Sequence, residues 1–508
     1  MFAKINQKIL SVVSLVISTS VLSIALSSAF VVVSQKTAQA GDLSWSGLYR
    51  IEYFQSENLE LDGVKRRDGY FLHHLVMSPK FTAADGLTIY SRFDLLNNCQ
   101  FGQNGQAGQL LGDGISNSPN CSTATPTPAA GKSNVFSSSQ NPESLLVNQL
   151  YLTWVQEFGA LIVGRAPLQF GLGLTYNAGN GPFDHWFTNE DMVGYKFVFG
   201  NLFVLPMLGK VQQGSSTGAN NLDIGGSIND YMIQVQYENP ETDLALGVFA
   251  QIRVANSYGD DSPAGPNAIG GPTAVRKDSF KNQSINFFAK QKTNDFSIGA
   301  EAGIQTGTTG TAISGTGGDV SINTYGIAAE LGYAPKSSSW SHLLKVGAAS
   351  GDDPGTNDIY EGFTFNRNYQ VAMLMFNRPL GSGNFFRTQL IRNTTTNASD
   401  NIDNEALSNA IFIAPSTDYK VRDNLSWGAT LLYARLQADP FINGATAAGT
   451  SKDLGFETDF RLNYKPYERF TWLTELGFLF PGSAWVGGAN NFNNSFAYGL
   501  STKAAISF

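Results

Sequence analysis

From Phe456 to Lys465 the chain changes character at every residue. Phe456, Thr458, Phe460, Leu462 and Tyr464 fall on one face of an extended strand, and Glu457, Asp459, Arg461, Asn463 and Lys465 fall on the other. A soluble sandwich also alternates, but its inward face packs a core. Five successive charged or amide side chains cannot form one, because each loses its water without a guaranteed partner. A strand with a wet lumen on one side and hydrocarbon on the other satisfies both faces, which is the pattern of a membrane-spanning barrel.

The same phase recurs along the chain. Tyr90, Arg92 and Asp94 oppose Leu87, Ile89 and Phe93, and Tyr231, Ile233, Val235 and Tyr237 oppose Gln234, Gln236 and Glu238. In the last strand, Tyr498, Leu500, Thr502, Ala504, Ile506 and Phe508 share one side. The pattern predicts strands near 43–55, 69–82, 87–97, 144–157, 160–170, 192–201, 203–213, 229–239, 242–254, 282–293, 295–305, 320–334, 339–350, 406–420, 425–438, 453–465, 470–481 and 495–508. The expected fold is all-β: one antiparallel transmembrane barrel of about 18 strands, with 16 as the alternative count. Gly 53, Phe 35 and Tyr 19 against Met 7 and 15% charged residues suit turns and strands better than long helices. Trp154, Tyr333, Trp340, Trp427, Tyr464 and Trp472 stand near strand ends, where an aromatic ring can face lipid and water together.

Connections give an independent test, since short turns should alternate with long outer loops. Ala84-Asp85-Gly86, Gly200-Asn201, Asn239-Pro240-Glu241 and Arg422-Asp423-Asn424 are tight turn signals, whereas 98–143, 171–191, 255–281 and 351–405 are long. The charged connection 56–68 breaks the scheme. Either it is a periplasmic protrusion or the first strand is misplaced. The segment 351–405 exceeds an ordinary connection and carries an apolar stretch from Tyr369 to Phe376, so it is expected to fold inward as a lid or constriction. Its acids Asp352, Asp353, Asp358 and Glu361 lack EF-type spacing and read as solvated, so no metal is expected.

The two ends of the chain fit export to the outer membrane of a Gram-negative bacterium. Lys4 and Lys8 precede an apolar run from Ile9 to Val33 and an A-x-A site, Ala38-Gln39-Ala40, which reads as a signal peptide over 1–40 cut after Ala40. Residues 41–508 then form a single barrel domain. A strand ending on Phe508 resembles the signal by which the barrel-assembly machinery recognises outer-membrane proteins for insertion. Loss of Lys4, Lys8 and Lys36 takes the formal charge from -8 to -11, which disfavours nucleic acid as a partner. Cys99 and Cys121, in an oxidising compartment, are expected to close a disulfide across a loop.

The histidines His73, His74, His185 and His342 form no catalytic constellation in the sequence, and no nucleophile elbow, phosphate loop or zinc motif is present. His185 reads as part of a surface turn. No enzyme activity and no cofactor are expected. The functional candidates are the charges placed inward by the alternation: Arg92, Asp94, Arg165, Arg253, Lys290, Glu330, Lys345, Glu457, Asp459, Arg461, Glu475 and Lys503. Opposed charges across a constriction set up a transverse field that orients and filters polar solutes.

Gly164-Arg165 after the strand Leu161-Ile162-Val163, the run Lys345 to Asp353, the segment Phe363 to Asn368 and the strand count together resemble the alginate-export family of outer-membrane porins. The match covers two patches of the chain. That resemblance implies a narrow channel for an anionic polysaccharide or related solute, guided by inward Arg and Lys. The residues themselves suggest passive diffusion of small hydrophilic or anionic solutes, possible saccharides among them, with outer-membrane lipid as the surroundings. A non-conducting barrel that binds a partner is the alternative, and an alginate-type exporter the second. No strand displays an unmistakable flat interface, so an oligomer stays open.

Overall fold

The computed structural model describes residues 41–508 apart from 60, 62–66, 96, 100–106, 111–144, 212–227, 256–273, 277–279, 314–318, 354–355, 357, 379, 381–405, 440, 443–444, 447–450 and 487–492. The signal segment with Ala40 lies outside the described residues. So do Cys121 and the side chain of Cys99, and with them the expected disulfide.

Eighteen long strands make up the wall. They are β1 (Asp42–Glu57), β2 (Arg67–Ala84), β3 (Leu87–Leu95), β4 (Leu145–Gln156), β5 (Gly159–Pro167), β6 (Asn189–Phe199), β7 (Leu202–Val211), β8 (Ile228–Asn239) and β9 (Leu244–Ala255). They continue as β10 (Phe280–Lys292), β11 (Phe296–Ile313), β12 (Asp319–Tyr333), β13 (Trp340–Ala349), β14 (Ala410–Arg422), β15 (Leu425–Leu436), β16 (Asp453–Tyr467), β17 (Phe470–Pro481) and β18 (Ala497–Ser507). Each pairs antiparallel with its sequence neighbours, and β18 returns to β1 with Glu52 opposite Lys503 and Leu48 opposite Ser507. Closure removes both sheet edges. At the seam the Gly47 and Phe508 backbones exchange hydrogen bonds of 2.9 and 3.0 Å. The Phe508 ring lies where a Cβ on Gly47 would stand, so only glycine fits there.

Period two fixes what each face meets. Val163, Leu246, Phe287, Ile298, Ile327, Ile411, Leu431 and Phe460 are exposed on the outside, an apolar girth that water would penalise and hydrocarbon accepts. At the short-turn end Trp340 packs on Tyr419 and Trp427 with ring centroids 4.8 and 5.4 Å apart, forming part of an aromatic girdle.

The connection 56–68, as far as it is described, is not an exception to the alternation. It stands at the long-loop end, where Asn58 donates to the carbonyls of Ser495 and Phe496 at 3.1 Å, and the carbonyl of Leu61 accepts from the Asn493 amide at 2.8 Å. Both chain ends of the barrel, Asp42 and Ser507, therefore belong to the short-turn end, as an even strand count requires.

The inner wall is less uniformly polar than the alternation suggests. Met192, Leu205, Met207, Met232, Phe249 and Phe288, on β6 to β10, are buried on the inward face. They are apolar because polypeptide, not water, covers them.

Candidate functional site

Two long connections turn into the lumen. Loop A (168–188) joins β5 to β6, and loop B joins β13 to β14, with 358–378 as its described inner part. Each sits over its own apolar cluster. Phe170 and Tyr176 of loop A cover the wall from Met192 to Phe288, while Phe363, Phe365 and Tyr369 to Phe376 of loop B pack with Leu432, Leu454 and Leu479.

Both loops hang on buried strand carboxylates by their backbone amides. In loop A the Leu174 amide donates to Glu301 of β11 at 3.2 Å, with the amides of Leu172, Gly173 and Thr175 turned on the same group. This cup needs left-handed backbone at Gly171 (φ +55°) and Gly173 (φ +84°), and a Cβ on Gly171 would stand 2.6 Å from the Glu301 carboxylate. In loop B the amides of Leu374 and Met375 donate to the two oxygens of Glu457 at 2.6 and 2.7 Å, and the Met373 amide donates to Asp459 at 2.9 Å. Carboxyl oxygens accept these bonds at buried positions, where an amide without an acceptor would cost the full penalty of losing water.

Loop A reaches far around the barrel. Tyr176 donates to Gln251 of β9 at 2.6 Å and Thr175 to Asn286 of β10 at 2.9 Å. At its tip the Asp184 carbonyl accepts from Arg50 of β1 at 2.5 Å, and the Gly179 carbonyl accepts from Arg92 of β3 at 3.3 Å. Loop B meets it in the lumen: the Asn366 amide donates to the Leu174 carbonyl and Asn368 to the Trp186 carbonyl, both at 2.5 Å. Arg367 stacks over Trp186 at 3.9 Å, Arg378 over Phe54 at 4.2 Å and Arg92 over Phe187 at 5.0 Å. Together the loops narrow the barrel.

Eleven of the twelve charges singled out in the sequence lie on the inward face. Glu457 and Asp459 hold loop B. Asp94 is fully buried against His74 (2.7 Å), Arg92 (3.2 Å) and Asn148, and Arg253 pairs with Asp230 at 2.6 Å. Glu330 pairs with Lys345 at 3.2 Å, Glu475 with Lys503 at 2.9 Å and Arg461 with Asp418 at 2.5 Å, while Lys290 is exposed. The Arg461–Asp418 pair spans an intervening strand, since both residues lie opposite Gly428 of β15, whose Cβ would stand 2.3 Å from Asp418 and 2.8 Å from Arg461.

Arg165 corrects the sequence reading. It lies opposite Leu150 and beside Val163 in phase, both exposed on the outer face, and it binds Asp191 through two bonds of 2.7 and 2.8 Å. Charge marks the lumen only at the depth of the apolar girth, and Arg165 sits near the long-loop end of β5, where the outer face meets polar surroundings.

Other residues escaped the sequence reading. His185, read as a surface turn, is a luminal side chain whose Nε2 lies 3.1 Å from Glu52. Glu301 and Arg50 were also missed, although both stand at inward positions of strands. A usable signal was present in the glycines. Gly247, Gly303, Gly326, Gly477 and Gly499 all face inward, and a Cβ on each would run into Phe170, Phe363, Met373 or Leu374 of the loops. A glycine at an inward strand position marks where another piece of chain comes close. Among the described residues no three His, Cys, Asp or Glu side chains gather as a metal site. Asp352 instead accepts the Glu361 amide at 2.9 Å.

No family model and no curated protein matches the chain, so the resemblance carried by Lys345 to Asp353 has no counterpart there. Solved structures do align over most of its length. OpdK of Pseudomonas aeruginosa with vanillate is 12% identical, with 92% of this chain and 99% of that one covered and a TM-score of 0.48. OprD, an outer-membrane protein of the same organism, is 10% identical over 93% and 95%, with a TM-score of 0.47. OmpT, an outer-membrane protein of Vibrio cholerae, is 11% identical over 92% and 100%, with a TM-score of 0.38.

Proposed function

We propose that the chain, cut after Ala40, is an outer-membrane channel through which small hydrophilic or anionic solutes diffuse past the constriction formed by loops A and B. One observation carries the reading: toward the short-turn end the inner wall keeps solvent-exposed ion pairs beside a tightly packed waist. The side chains of Lys345 and Glu330 are 24% and 25% exposed and those of Arg461 and Asp418 are 30% and 39% exposed, although all four face the lumen. At the waist, Arg50 and Glu52 are only 2% and 4% exposed. A wall of exposed ion pairs is of use only to a lumen that holds water and ions.

The cations at the waist favour anions. Arg50, Arg92, Arg367 and Arg378 converge on the tip of loop A, several of them held extended by aromatic faces. Arg50 and Arg92 are held by Glu52 and Asp94, so an anion that sheds part of its hydration at the waist is met chiefly by Arg367 and Arg378. Purified, folded protein in planar bilayers should give unit conductance steps with a reversal potential shifted toward the anion. Absence of steps from folded protein would point to the alternative, a plugged barrel, which the bonds between Asn366, Asn368 and loop A would explain.

A further inference from the structure

The tip of loop A rests on β1 through a histidine whose two nitrogens have unlike neighbours. His185 Nε2 lies 3.1 Å from the Glu52 carboxylate, and Nδ1 lies 3.5 Å from Nη2 of Arg50. Arg50 also binds Glu52 at 3.1 Å and the Asp184 carbonyl at 2.5 Å, so one guanidinium holds the wall and the loop together. Only one form of the imidazole serves both contacts: neutral, with its proton on Nε2 donated to Glu52 and the bare Nδ1 accepting from Arg50.

We propose that His185 is an acid-sensitive latch, holding the tip of loop A on the β1 wall while neutral and releasing it when a proton on Nδ1 confronts the Arg50 guanidinium. The surrounding charges set the direction. Arg50 and Glu52 face the ring from β1, Arg378 from loop B and Asp184 from its own loop; Lys503 of β18 stands near Glu52, and Arg92 and Asp94 of β3, the latter bound to His74 of β2, lie near Arg50. Burial lowers the pKa of His185 from the ordinary 6.5, Glu52 opposes this, and Arg50 and Arg378 add to it. A base whose pKa is lowered by docking stabilises the docked state fully above its free value and loses that contribution as pH falls below it. Release therefore belongs to acid conditions below pH 6.5.

As a gate the latch rests on the channel reading, but docking itself can be followed without current. Hydrogen exchange of the 181–188 amides, corrected for intrinsic rates, is measured on the detergent-folded barrel from about pH 7.5 to about pH 4.5. Protection should fall about tenfold or more with a midpoint below the ordinary histidine value, and stay flat in His185→Gln, whose amide donates and accepts but does not titrate. Flat protection in the native protein, or the same fall in His185→Gln, overturns the latch. Should that variant fail to assemble, histidine ¹⁵N shifts of the native barrel decide instead: a His185 ring already doubly protonated near neutral pH overturns it, and a neutral ring protonated on Nε2 supports it. Missing conductance beside an acid-dependent protection step sinks the channel and spares the latch. A conducting barrel with flat protection does the reverse.

Discussion

Loops A and B solve one problem in two ways. Both must hold a polypeptide inside a wet barrel, where every buried amide needs an acceptor. Loop A spreads its attachment over β1, β3, β9, β10 and β11 through side-chain and carbonyl bonds, with Glu301 as one tether among several. Loop B pairs Ile359–Tyr360 with β12 and takes Lys345 on its Gln370 carbonyl, but its inner turn 373–375 concentrates its attachment on Glu457 and Asp459 and relies on apolar packing, with Met373 and Leu374 seated over Gly477 and Gly499. A distributed polar attachment can let go at one end, as the His185 contact would, while the rest holds. A concentrated one is lost as a unit.

The largest effect should come from removing loop B's acceptors. Glu457→Ala with Asp459→Ala leaves three buried amides without acceptors, which should cost loop docking about 3 kcal/mol or more. The protection of amides 373–375 should collapse and unit conductance should rise. Glu301→Gln in loop A should cost about 1–2 kcal/mol and leave the rest of that loop protected. Equal losses at the two loops would break the contrast between them.

Filling a seat comes next. Gly477→Val would press on Asp459 Oδ1, Met373 Sδ and Leu374 Cγ, which a Cβ alone already meets at 2.8, 3.1 and 3.3 Å, and overpacking of this kind costs about 1–3 kcal/mol. Loop B should loosen without any change of charge, so conductance should rise while the reversal potential stays near that of the native protein. A conductance unchanged by a folded Gly477→Val barrel would mean that packing is not what holds loop B.

Two smaller effects separate the inside from the outside. Gly428→Ala pushes Arg461 and Asp418 apart and should lower stability by about 1 kcal/mol, read from the denaturant midpoint. Arg165→Ala removes an outer-face pair and should cost about 0.5 kcal/mol or less, with no shift in reversal potential. A clear shift would return Arg165 to the lumen and undo its placement beside Val163.

Much of the wall was legible in the chain alone, and Arg165 shows where that legibility stops. At Phe456 to Lys465 the alternation is complete, and Glu457, Asp459 and Arg461 fall on the inward face, the first two beneath loop B. At β5 both faces are apolar, since Ile162 faces inward under loop A and Val163 faces lipid, so period two carries no sign and the lone charge misleads. His185 was obscured for another reason. Its neighbours Gly181, Pro182 and Asp184 build a turn in any setting, and a turn does not reveal what it rests on.

The sequence by itself determined the barrel: strand phase, strand number and the alternation of short and long connections. Each depends on contrasts between adjacent residues, and the apolar surroundings apply the same test to every strand. The tertiary structure alone decided how the lumen is filled. The Leu174 amide meets Glu301 across 127 residues of chain, and the Leu374 amide meets Glu457 across 83. An acid at an inward position looks the same whether it faces water, a cation or a loop amide. Only closure of the wall brings the amide within reach and makes the choice.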